Sequence, residues 1–171
     1  MSPAPIEPAL GLLELESIAA GIEAGDAMVK RAPVEVLRAG TVHPGKYLVL
    51  VGGDVADVEE ALEAGTATGA LAVRDVTFLA NIHPEVVEAV RGRRQGAQAE
   101  ALGVVETATV PAIIRAADAG LKGADVRLLE IHLADDLGGK GYLLFDGAVT
   151  DVEAAVEILS LIHISEPTRL E

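Results

Sequence analysis

The stretch from Ala9 to Gly40, ALGLLELESIAAGIEAGDAMVKRAPVEVLRAG, is restated from Ala101 as ALGVVETATVPAIIRAADAGLKGADVRLLEI. The shift of 92 positions holds without a gap for some thirty residues. It superposes Leu10 on Leu102, Gly11 on Gly103, Glu14 on Glu106, Asp26 on Asp118, Lys30 on Lys122, Val34 on Val126 and Leu37 on Leu129. A period near ninety is too long for a solenoid unit and is the length of a small domain. The chain reads as a tandem duplication.

Composition limits what each copy can be. Half of the 171 residues are apolar but only 2% are aromatic, so the cores must be packed from Ala, Val, Leu and Ile. A net charge of −14 argues against nucleic acid or an anionic membrane surface as partner. With no cysteine there is no disulfide framework, thiolate metal site or thiol nucleophile. The opening MSPAPIEP has neither a basic region nor a long apolar run and is not read as a signal peptide. No run of eighteen apolar residues suggests a membrane span, and a cytosolic protein is expected.

Residues 1–8, with three prolines, are expected to form a disordered arm. The Leu-rich ALGLLELE suits a strand buried on both faces. Helical spacing predicts a helix over 18–32, capped by Ser17 and ended by Pro33. VEVLRAGTV and KYLVLVGG predict a hairpin turning at His43-Pro44-Gly45. Asp54 or Asp57 is placed to cap a second helix from Val55 to about Gly69, closed by Gly65 and Gly69. LAVRDVTFLAN is a fourth strand, and Pro84 opens a short helix through Val90.

The order βαββαβ is the ferredoxin-like arrangement, an α/β (α+β) fold with an antiparallel sheet. The first copy is expected over 9–90, a polar flexible linker over 91–100 (RGRRQGAQAE), and the second copy over 101–159. That copy repeats the order through a strand at 125–134, a loop at 135–139, a strand at 140–147 and a helix from Asp151. It then stops short of a fourth strand. LIHIS is the candidate replacement, and residues 160–171 read as a non-native tail of sequencing-adapter type.

With repeat and order established, the chain resembles the bacterial microcompartment shell proteins, in particular the tandem-domain class that assembles as pseudohexameric trimers. The resemblance rests on the openings ALGLLE and ALGVVE and the helix motifs AGDAMVKRAPV and AADAGLKGADV. It rests also on the hairpins TVHPGKYLVLVGGDVADVEEA and LADDLGGKGYLLFDGAVTDVEAA. It covers roughly 9–90 and 101–158. It implies a non-enzymatic shell tile: a homotrimer with a central pore for small metabolites. It would lie in a shell facet of the bacterial cytoplasm beside hexamers and pentamers of other shell proteins. The alternative from another class is a ferredoxin-like small-molecule-binding regulatory protein.

By the resemblance, the loop between the second and third strands lines the pore: His43, Pro44 and Gly45 in one copy, and Asp135, Asp136, Leu137, Gly138 and Gly139 in the other. The glycines and proline equally serve the turn chemistry that any hairpin needs. His43 stands where hexameric relatives carry a small residue, and it is either an inward imidazole, charging below about pH 6.5, or a surface turn residue. Asp135 and Asp136 are a two-residue insertion. They would bring carboxylates to the axis, partly neutralised by Lys46 and Lys140, or else belong to a solvated loop.

Lys30 and Lys122 match the family's edge lysine. Asp26 and Asp118, four residues earlier, also offer each an ordinary helical ion pair. Asn81 takes the place of the edge arginine of relatives. No enzyme motif is found. VGGD and GGKG lack dinucleotide or Walker spacing, and His43, His83, His132 and His163 show no ligand or triad spacing. Neither metal nor cofactor is expected.

Overall fold

The structure, a computed structural model, describes residues 9–162. The arm 1–8 and residues 163–171, with most of LIHIS, lie outside the described residues. The chain divides into two compact units, 1–82 and 83–171.

In the first unit the strands β1 (Ala9–Leu15), β2 (Glu35–Val42), β3 (Lys46–Gly53) and β4 (Val73–Leu79) form one antiparallel sheet in the order β2-β3-β1-β4. That is the ferredoxin-like order. β1 lies between two neighbours and every one of its residues is buried, as its near-continuous apolar run predicts. Helices α1 (Ile18–Arg31) and α2 (Val55–Gly69) pack on each other and on the sheet.

Ser17 caps α1, its hydroxyl accepting the Ala20 N–H at 3.3 Å. Asp54 occupies the N-cap of α2 without a side-chain cap bond. Gly65, expected to close α2, lies inside it. A Cβ there would fall 2.6 Å from Cγ of Met28, so the glycine lets the two helices approach closely. Met28, Leu13, Val58, Ala61 and Leu62 form the core around that contact.

The second unit holds β5 (Ala101–Thr107), α4 (Val110–Gly123), β6 (Arg127–Leu133), β7 (Gly141–Gly147) and α5 (Val149–Ser160). Its sheet runs β5-β7-β6 with the same antiparallel pairing. Among the described residues no fourth strand flanks β5, and its burial accordingly alternates instead of being continuous. Leu102 is 46% exposed where its counterpart Leu10 is 1% exposed. Ser160 completes α5, while Leu161 and Ile162 form a turn.

The boundary between the copies differs from the expected one. Helix α3 (Pro84–Val90), read as the end of the first copy, belongs to the second unit. Its buried Val86, Val87 and Ala89 lie on the side that meets β6, because a short amphipathic helix is stable only where its apolar side finds a partner. The polar run 91–100 is not a free linker. The Gln95 N–H donates to the Leu129 carbonyl at 2.9 Å along the edge of β6.

Candidate pore loops and edge residues

The first candidate loop is a tight turn. The Gly45 N–H donates to the Val42 carbonyl at 3.1 Å, and Gly45 has φ +89°, a conformation that glycine adopts without penalty. His43, Pro44 and Gly45 are all exposed at its tip. Lys46, expected to soften the charge of the loops, turns inward instead. Its Nζ lies 2.9 Å from Oε1 of the fully buried Glu14, and Arg74 Nε lies 3.6 Å from the same oxygen. Arg74 also pairs with Glu16 at 2.6 Å. A buried carboxylate is costly without such partners, so Lys46 is committed to the interior of its own unit.

The second loop is longer and built from left-handed residues: Ala134, Asp136, Gly138 and Gly139 have φ of 67°, 62°, 62° and 87°. The Asp135 N–H donates to the Leu133 carbonyl and the Lys140 N–H to the Leu137 carbonyl. Asp135, Asp136 and Gly138 are exposed, Leu137 is half-buried and Gly139 buried. At the root of the loop His132 stacks on Tyr142 with ring centroids 5.1 Å apart, and its Nε2 is 2.9 Å from the Asp135 carbonyl oxygen. The Tyr142 hydroxyl donates to Glu130 at 2.7 Å, and that bond raises its pKa. Lys140 stays at the surface, 3.9 Å from Glu106. One lysine–glutamate repeat is thus internal in one copy and external in the other.

The helical lysines also differ. Lys30 pairs with Asp26 at 2.5 Å with both side chains more than half exposed. Lys122 pairs with Asp118 at 2.6 Å, but Asp118 is buried and its Oδ1 accepts the His83 N–H at 2.7 Å. This aspartate therefore also fixes the entry to α3. Asn81 is exposed in the bend after β4.

The cluster that spacing alone did not indicate is centred on Asp146. Its carboxylate binds the Arg127 guanidinium at 2.7 and 3.1 Å and accepts the N–H groups of Gln98 and Ala99 at 2.6 and 3.0 Å. Arg127 adds bonds to the Gly96 carbonyl and the Gln98 side chain. The Arg127 hydrogen bond, against an opposing contribution from burial, holds the Asp146 carboxyl well below the usual carboxylate range. The one available signal was a break in the repeat, Asp146 standing where the first copy has Gly52.

Among the described residues no group of three or more His, Cys, Asp or Glu side chains is placed to hold a metal ion. No helix there is long and apolar enough to cross a membrane.

The BMC domain model matches twice, over residues 9–82 and 101–161. The chain is 44% identical over 152 residues to the bacterial microcompartment shell protein PduT of Citrobacter freundii, covering 89% of this chain and 83% of that protein. It is 30% identical over 168 residues to the carboxysome assembly protein CcmO of Synechocystis sp., of which it spans 56%. It is 40% identical over 75 residues to the shell protein PduA of Citrobacter freundii. A crystal structure of a microcompartment protein from Desulfitobacterium hafniense DCB superposes with a TM-score of 0.81 at 40% identity, over 91% of this chain and 87% of that one.

Proposed function

The chain belongs to the BMC domain family, and from that membership we propose that it is a structural shell protein, three copies of which close into a pseudohexameric tile with a hole for small metabolites. The observation that carries this reading is the duplication: two like sheet-and-helix units in one chain, with similarity to PduT running through both. Closed cyclic symmetry needs a subunit whose two flanks are complementary, and three duplicated chains supply six units to one ring.

In such a ring the turn His43, Pro44, Gly45 and the loop Asp135, Asp136, Leu137, Gly138, Gly139 alternate around the axis. The exposed carboxylates of Asp135 and Asp136, each present three times, favour cations and oppose anions, with surface Lys140 moderating the field. Lys46 takes no part, being paired internally with Glu14. Lys30, Lys122 and Asn81 lie at the tile edges, where neighbouring tiles of this and other shell proteins meet in the bacterial cytoplasm. The role is architectural, not catalytic.

Native mass spectrometry tests the reading. A species of three chains is expected. A monomer at every concentration would overturn the tile and favour a ligand-binding regulator instead.

A further inference from the structure

The hairpins that carry the two candidate loops share a ladder but differ at one rung. Gly40 pairs with Leu48 across β2 and β3, and the pair at the equivalent place across β6 and β7 is His132 and Tyr142. The second loop is also two residues longer and holds the exposed carboxylates of Asp135 and Asp136, which the first loop lacks. The insertion and the ring pair thus occur together in one copy, and neither is present in the other.

A chain with two tyrosines, two phenylalanines and no tryptophan has few rings to stack, and one of them stands at the root of this loop. The His132 and Tyr142 rings lie 5.1 Å apart and 10° from parallel. The Tyr142 hydroxyl donates to Glu130 at 2.7 Å, and Arg94 Nε lies 3.5 Å from the same carboxylate. The tyrosine ring is therefore held at its far end, and it holds the imidazole in turn. From there the His132 Nε2 reaches the Asp135 carbonyl oxygen at 2.9 Å. A carbonyl oxygen only accepts, so Nε2 is the nitrogen that carries the proton. An ordinary cross-strand pair steadies its own ladder; this one also sends a bond out of the ladder to the residue that bears the first carboxylate.

We infer that His132 is a positioning residue for the Asp135 and Asp136 carboxylates: stacked on Tyr142, it fixes the loop through the Asp135 carbonyl and so sets where these two charges stand. Asp136 follows directly, at φ 62°, so the backbone held at Asp135 also directs the second carboxylate. Two carboxylates kept in place favour a small cation at one spot, whereas on a loose loop the same charges are spread over a larger volume and attract it less there. That this spot faces a hole rests on the tile proposed above. The positioning itself does not, and it is read on the chain whatever its oligomeric state.

The test uses the full chain with His132→Phe and His132→Gln. Phenylalanine keeps a ring opposite Tyr142 and removes the donor, whereas glutamine keeps a donor and removes the ring. Amide exchange is followed along the β6–β7 ladder and at Asp135 and Lys140, whose N–H groups are bonded within the loop to the Leu133 and Leu137 carbonyls. Broadening of the loop amides by a cationic and an anionic nitroxide of similar size reads the local charge. In His132→Phe the ladder is expected to stay protected, the Asp135 and Lys140 amides to exchange several-fold faster, and the ratio of cationic to anionic broadening at Asp135 and Asp136 to fall. Loss of an imidazole can only remove positive charge, which would raise that ratio, so a fall reports position. His132→Gln is expected to retain most of both readings. Two results would each overturn the inference: a His132→Phe loop that exchanges and broadens as the wild type does, which leaves the rings a hairpin contact only, or a His132→Gln loop as altered as that of His132→Phe, which removes the hydrogen bond as the device. Neither bears on how many chains form a tile, which native mass spectrometry reads separately.

Discussion

Asp146 and Arg127 meet through two hydrogen bonds, at 2.7 and 3.1 Å, across the β7–β6 ladder. The same carboxylate takes the amides of Gln98 and Ala99, so one side chain fastens two strands and the strap beside them. Asp146→Asn is expected to destabilise the second unit by about 1.5–3 kcal/mol, the range for hydrogen bonds to a charged group. Amide exchange of Gln98 and Ala99 should accelerate more than that of β5. Uniform acceleration across the unit would contradict this role.

The same pair sets a response to acid. The Asp146 carboxyl titrates below its ordinary range, whereas in the unfolded chain it titrates near about 4. A depressed carboxylate contributes stability that is fully present above the unfolded value and is lost as pH falls through the folded one. Thermal melts from neutral to strongly acidic pH should show the wild-type advantage over Asp146→Asn shrinking below about pH 4. An advantage independent of pH would assign the pair's effect to shape instead of charge.

Glu14 and Lys46 form a buried pair, 2.9 Å apart. Removing one partner of such a pair costs roughly 3–5 kcal/mol, whereas replacing both with apolar groups is often near neutral. Lys46→Met is expected toward the low end of that range, since Arg74 remains near Glu14. The double variant with Glu14→Leu should recover most of the loss in urea denaturation. Strict additivity of the two single losses would refute the coupling.

Gly65 permits the close approach of α1 and α2, and a Cβ would sit 2.6 and 2.7 Å from Cγ and Sδ of Met28. Gly65→Ala is expected to destabilise the first unit by about 1–3 kcal/mol through overpacking, despite alanine's better helix propensity. Met28→Ala in the same chain should relieve part of the clash. A stabilised Gly65→Ala, read by thermal melting, would show that Met28 yields freely.

Ala134 is a buried alanine at φ 67°. Left-handed backbone costs a side-chain-bearing residue roughly 1–2 kcal/mol, partly offset by the freedom that glycine gains in the unfolded chain. Ala134→Gly should therefore stabilise the second unit by about 0.5–1 kcal/mol. A loss of stability would mean that the methyl group's packing outweighs the relieved strain.

Much of the fold was legible because local signals and the repeat agreed. Ser17 and Thr109 both cap helices, and the strand order follows from βαββαβ. Pro33 was a weaker guide than it looked: α4 ends at Ala124 with the same extended geometry that α1 has at Ala32, although Asp125 replaces the proline.

What the repeat hid is equally specific. Glu14 and Glu106 are the same residue in the same strand position, yet one is fully buried and the other half exposed. Beside Glu14 lie β4 and Arg74, and among the described residues no such strand flanks Glu106. The ownership of α3 was likewise illegible, because a short amphipathic helix carries no mark of which sheet it will cover.

The unequal lysines have a practical meaning for anyone wishing to redesign the protein. Lys46 is welded into its unit, so alterations around the His43 turn risk the fold itself, whereas Lys140 and Glu106 face water and bear little of the molecule's integrity. Duplication has thus tied one hairpin to its scaffold and left the matching lysine of the other at the surface, where drift or deliberate engineering can change the charge at little cost to the fold.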